Sequence, residues 1–257
     1  MKKRITQLTL LIAIITMLSS CGHKNTFTIE GTIDNAAGKT FYLEEITPDG
    51  AQFIDSITLD NKGSFKIQHE LPYPTFYNLH CSDIDYVVLL PQAGEKLEIS
   101  GDATAFSLTY HVSGSPESQL LWQLQDFSND GLHELQDLVK TDRENRAQYG
   151  EETADYKRAK EATDSIFRDI FNEQFEYIHK FIEENRGSLS TLIALYKPFN
   201  NMAIINPTHN FEEYETVLEG LKENYPDNPH TLQFQNTVEH LRHARGNQPQ
   251  DFEIATR

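Results

Sequence analysis

The chain has 257 residues, 38% of them hydrophobic and 24% charged, a balance that supports a packed globular protein and speaks against disorder throughout. Its 39 acidic residues outnumber 22 basic ones, for a formal charge of −17. That surplus excludes the basic surface a nucleic-acid partner would require, and it reads as a solvated acidic exterior.

The first stretch, "MKKRITQLTLLIAIITMLSSC", has the three parts of a secretory signal. Lys2, Lys3 and Arg4 form a positive segment, and Leu8 to Leu18 form an apolar core shorter than the ~20 residues a spanning helix needs. Ser19 and Ser20 then precede Cys21, and Leu18-Ser19-Ser20-Cys21 resembles the bacterial lipobox. Residues 1–20 are therefore expected to be a lipoprotein signal peptide, Cys21 the lipidated residue, and 21–25 a lipidated tether. Several acyl chains on one residue meet the requirement of stable anchoring for more than one lipid. The expected partner of the N-terminus is thus a membrane, and the expected location is the cell envelope, facing the periplasm. "GHKNT" after the cysteine lacks both an acidic run and an adjacent Asp, so inner and outer membrane stay open.

Lipidation of Cys21 leaves Cys81 as the one free thiol of the sequence. A solitary thiol excludes an internal disulfide, a multi-cysteine metal site and a Cys-x-x-Cys redox cycle. Cys81 closes "TFYNLHC" and has no cation adjacent in sequence, which marks a small, half-buried side chain at a strand end.

Residues 26–112 alternate with period two. "TFTIEGTI" puts Phe27, Ile29, Gly31 and Ile33 on one face, and "FSLTYHV" does the same with Phe106, Leu108, Tyr110 and Val112. Between them lie "KTFYLEEI", "QFIDSITL", "GSFKIQHE", "TFYNLH", "IDYVVLLP" and "EKLEIS", separated by Gly-, Pro- and Asn-rich turn signals. "LDNKGSF" is short enough to close a hairpin. About eight short strands with no helix among them predict an antiparallel β-sandwich or small barrel.

At "SGSPES" the period changes. Ser115 before Pro116 is a good N-cap with Pro at the first helical position. Leu120, Leu121, Leu124 and Phe127 line one helical face, and Leu132, Leu135, Leu138 and Val139 another. A long amphipathic helix is expected from about Glu151 to Asn185, then shorter ones over Leu189 to Tyr196, Phe211 to Asn224, and Pro229 to Arg245. The fold class is therefore α+β, a β-sandwich followed by an all-helical region over 113–245, with 246–257 as a tail.

No set of residues carries recognisable chemistry. His240 and His243 share a helix face but have no carboxylate at a metal-site spacing, so they read as surface histidines. Asp83 and Asp85 read as turn residues, "TDREN" and "EETADYKRAKE" as solvated helix faces, and Tyr73, Phe76, Tyr77 and Tyr86 as sandwich core rather than pocket. Nucleophile elbow, phosphate loop and dinucleotide fingerprint are all missing, so no catalytic residue, cofactor or metal is expected.

The order of segments carries a resemblance. A lipobox, "FTIEGTI", "GKTFYLEE", "IDSITLDNKGSFKI", "PTFYNLH", "VVLLPQAGEKLEISGDA" and "YHVSGSPES" followed by helices is similar to the domain of unknown function that precedes the thioredoxin-like domain in Bacteroides-type lipoproteins, the TlpA/ResA-type thiol–disulfide oxidoreductases. Gly246, Pro249, Asp251, Phe252 and Ile254 look like the opening of such a thioredoxin-like domain, with Gln250 intruding. The resemblance implies a lipid-anchored accessory or binding module with no redox activity of its own, working beside an envelope protein or a separately encoded redox protein. Two other expectations follow: the front part of a split or truncated thiol–disulfide oxidoreductase, or a sandwich that binds a small ligand or glycan.

Overall fold

A computed structural model describes residues 25–82 and 84–246. The first eight strands are β1 (Thr26–Asp34), β2 (Thr40–Thr47), β3 (Gly50–Thr58), β4 (Ser64–Glu70), β5 (Phe76–Ser82), β6 (Asp85–Leu89), β7 (Lys96–Asp102) and β8 (His111–Ser113). They form two four-stranded sheets, an outer one in the order β4-β1-β7-β8 and a middle one in the order β3-β2-β5-β6. Alternation decides which side chains meet. Phe27, Ile29, Ile33, Phe65, Ile67, Leu97 and Ile99 of the outer sheet face Phe41, Leu43, Tyr77, Leu79, Val87 and Leu89 of the middle one, and all are buried in one apolar cluster. The α+β class expected from sequence holds, and the sandwich core is filled by side chains.

Three local expectations are corrected. The sandwich is not wholly antiparallel: β1 pairs with β7 in parallel, Thr28 opposite Lys96 through Asp34 opposite Asp102. "LDNKGSF" is a turn but not a hairpin, because β3 lies in the middle sheet and β4 in the outer one. Its shape comes from Asp60, whose Oδ1 accepts the backbone N–H groups of Lys62 and Ser64 at 2.8 Å each, and from Gly63 at φ 73°. A Cβ at Gly63 would also lie 2.1 Å from the Ile33 carbonyl oxygen, so a side chain is excluded there twice over.

The third correction concerns "FSLTYHV". Phe106–Thr109 is a helical turn, α1, and only His111–Ser113 is strand. The cause lies upstream: the Asp85 carboxylate accepts the N–H groups of both Phe106 and Ser107 at 2.7 Å, and Thr109 Oγ1 donates to the Ala105 carbonyl at 2.8 Å. Phe106 is still buried, its ring edge-on to Phe41 at 5.3 Å, whereas Leu108 is 53% exposed.

Five further helices follow: α2 (Pro116–Tyr149), α3 (Ala154–Glu184), α4 (Ser190–Leu195), α5 (Phe211–Asn224) and α6 (Pro229–Gly246). The predicted N-cap is in place, since Ser115 Oγ accepts from the Ser118 N–H at 3.4 Å, and Ser118 Oγ accepts from the Leu90 N–H at 3.0 Å. The first turn of α2 is thereby fastened to the end of β6. Helices α2 and α3 run antiparallel, with Phe127 and Tyr177 stacked at 3.8 Å. Gly131 lets α3 approach: a Cβ there would lie 2.3 Å from Gln174 Nε2. The region is not all-helical, because β9 (Pro198–Phe199) and β10 (Met202–Ala203) pair across Asn200 and Asn201 at φ 48° and 62°. Asparagine tolerates this left-handed pair, which a two-residue hairpin of matching twist requires.

The helices cover the back of the middle sheet. Phe76 and Leu90 belong to the helical core rather than the sandwich core, and Ile46 and Val88 pack against it. The molecule is thus three layers with two apolar cores, and the middle sheet serves both. Among the described residues no helix is long and apolar enough to cross a membrane.

Candidate functional site

Where the middle sheet meets the helices, the second interface does not close completely. It leaves a cleft of about 440 Å³, within the ~300–1,000 Å³ typical of small-molecule sites. Its floor is set by strand register, with Ile46 beside Phe76, Asn78 beside Val88, and Tyr86 one row further along. The opposite wall comes from Leu192 and Ile193 of α4, Tyr196 and Lys197 just after it, and Gln233, Phe234 and Thr237 of α6. Tyr196, Tyr214 and Phe234 form an aromatic cluster with ring separations of 6.0–6.4 Å. Burial pushes the Tyr196 hydroxyl up to about 12, so it stays a neutral donor.

Polar groups are few. Lys197 Nζ donates to Gln125 Oε1 at 2.9 Å. No carboxylate among the described residues lies within ion-pair distance of this ammonium. Burial alone pulls its pKa down to about 8. Asn78 presents a buried Oδ1 with no hydrogen-bond partner. Lys197, Gln125, Tyr86, Val88 and Ile193 also wall a smaller adjoining cavity of about 230 Å³ toward Tyr110 and Ser107.

One end of the cleft is clamped by the start of α6. Asn228 Nδ2 donates to the Pro74 carbonyl at 2.7 Å, His230 Nε2 lies 2.9 Å from Thr75 Oγ1, and Gln233 Nε2 donates to the Pro48 carbonyl at 2.8 Å. His230 is 6% exposed, and burial holds its pKa below the ordinary histidine value of 6.5. The imidazole is therefore neutral at physiological pH.

Beside the cleft, His80 Nε2 sits 3.4 Å from Glu44 Oε2, under the ring of Tyr42 at 5.6 Å. The arrangement offers a largely apolar cleft with one amine. The one amine faces an amide, not an acid or base, and no three His, Cys, Asp or Glu residues among those described are grouped to hold a metal.

The residues singled out from sequence disperse. Cys21 and the 247–257 part of the tail lie outside the described residues, as does Asp83. Cys81 is a free, half-buried thiol packed against the sandwich core; burial and Asp85 push its pKa up, with Lys39 opposing. Asp85 caps α1, and His240 and His243 are exposed on α6. Of the four aromatics expected in the sandwich core, only Tyr77 is there. Tyr73 donates to Glu45 at 3.3 Å, while Phe76 and Tyr86 line the cleft, because even-numbered β5 and β6 residues face the helices. Lys197 is not among the residues that the sequence motifs single out. Its signal was visible in "LSTLIALYKPF", where a single charge interrupts an otherwise uncharged run.

Residues 27–121 match the family described as Domain of unknown function (DUF4369), a span from β1 into the first turns of α2. The matched span includes Ser115 and Ser118, the serines that fasten α2 to β6. No curated protein is similar enough to match the chain.

Proposed function

We propose that the chain is a binding module of the cell envelope, lipid-anchored through Cys21, periplasm-facing, and without thiol–disulfide chemistry of its own. The observation that carries this reading is the cleft between the two cores, with its apolar walls and a few convergent polar groups. Cys81 supports the non-redox part, since a thiol with a raised pKa holds little thiolate, and exchange needs a thiolate attacker. The segment order that resembles thioredoxin-associated lipoproteins supports a role beside a separately encoded redox or envelope protein.

Native mass spectrometry of the chain purified from membranes tests the reading. A small-molecule adduct is expected on the wild type and not on Ile193→Trp, which fills the cleft without changing charge. An adduct of equal abundance on both, or none on either, would overturn the assignment of the cleft. Insulin reduction lost on Cys81→Ser would overturn the non-redox part.

A further inference from the structure

We infer that the cleft receives a small amphiphile with an apolar body and one carboxylate, the carboxylate pairing with Lys197 Nζ. The inference rests on the reading of the cleft as a receptor site and adds the class of occupant. Lys197 is the reason. In a chain with 39 acidic and 22 basic residues, a half-buried ammonium that donates to an amide oxygen and has no carboxylate beside it among the described residues is a charge held partly out of water without a counter-ion. The depression over the outer sheet makes the contrast. It is larger, at about 600 Å³, yet Lys66 at its rim and neighbouring Lys96 are both already paired with the Glu30 carboxylate, at 3.1 and 2.7 Å.

The polar inventory also selects among anions. Gln125 Oε1 accepts from Lys197 at 2.9 Å and Gln125 Nε2 donates one N–H to Asn129 Oδ1 at 2.7 Å, which leaves its second N–H as a donor near the ammonium. An ammonium and one amide N–H match the two oxygens of a carboxylate. A phosphate monoester brings nearly two charges, and no second Lys or Arg lines the cleft to meet them. The walls select the rest of the molecule: Ile46, Phe76, Val88, Ile193 and Phe234 offer aliphatic and aromatic surface, with Tyr196 at the mouth 55% exposed.

Equilibrium dialysis of the full chain in nanodiscs, read against empty nanodiscs, tests this with phenylbutyrate and its uncharged analogue phenylbutanol. Phenylbutyrate is expected to bind the wild type more tightly than phenylbutanol. Lys197→Met should weaken phenylbutyrate by about tenfold or more, leave phenylbutanol unchanged, and be rescued by Lys197→Arg. Met removes a desolvated charge and is expected to fold, which circular dichroism verifies. Equal binding of both probes, unaffected by Lys197→Met but abolished by Ile193→Trp, would overturn the inference while the cleft remained a receptor. Binding of neither probe, or binding unaffected by Ile193→Trp, would overturn the inference together with the reading beneath it.

Discussion

The two sheets of the sandwich share an inner face and differ on the outer one. On the outer sheet the ranks directed away from the core are Thr28, Glu30, Thr32, Lys66, Gln68, Glu98 and Ser100, all partly or fully exposed. On the middle sheet the corresponding positions are Tyr42, Glu44, Ile46, Phe76, Asn78, His80, Tyr86 and Val88, and the helical core packs on Ile46, Phe76 and Val88. A strand that is polar on one side can end a structure, whereas a strand that is apolar on both must be roofed. The roof is then where imperfect closure leaves space, so the cleft sits over the middle sheet. A site follows here from having two cores rather than one.

The comparison is broken most severely at Phe76, a side chain that points away from the sandwich yet is 2% exposed. Phe76→Ala should cost about 3–5 kcal/mol, in chemical denaturation followed by the fluorescence of Trp122, the one tryptophan of the chain. Trp122 reports the joint itself, since its Nε1 donates to the Tyr110 carbonyl at 2.8 Å.

The α6 clamp gives the next effect. His230→Gln should cost about 1–2 kcal/mol at neutral pH, the scale of a buried hydrogen bond disturbed. It also changes the pH dependence. With a folded pKa below 6.5, the neutral histidine contributes stability that is complete above 6.5 and is lost as pH falls from there through the folded value. Wild type should therefore lose more stability on acidification than His230→Gln, read as the difference between two melting-temperature profiles.

Lys197→Met works in the opposite direction. Removing a partly desolvated ammonium that has no carboxylate beside it should raise stability by about 0.5–2 kcal/mol, at the expense of the ligand pairing proposed above. A gain in melting temperature at neutral pH checks it. The smallest effect belongs to the outer sheet. Lys96→Gln removes an exposed contact with Glu30, and its slight shift in melting temperature should vanish in high salt.

How much of this was legible in the sequence follows from how local each determinant is. The alternation of Phe27, Ile29 and Ile33 located β1, Ser115-Pro116 located the start of α2, and the boundaries of α5 coincide with the expected ones. Nearest-neighbour chemistry decides all three. The short helix at Phe106 was not legible because its cap, Asp85, comes from another strand. Sheet membership of β3 and β4 was hidden for a similar reason: the turn chemistry of Asp60 and Gly63 serves a sheet-to-sheet crossing as well as a hairpin. The cleft was the least legible feature. Its lining comes from three strands of the middle sheet, three helices and the segment after α4, and the aromatic residues that mark it looked like ordinary core.

The position of β1 has a mechanical consequence. It is an interior strand, bonded along its length to β4 on one side and to β7 on the other, and it begins a short tether away from Cys21. If the chain is held at that cysteine, as proposed, a pull from the membrane loads both ladders in shear, with many hydrogen bonds resisting together. An edge strand in the same place would unzip one bond at a time.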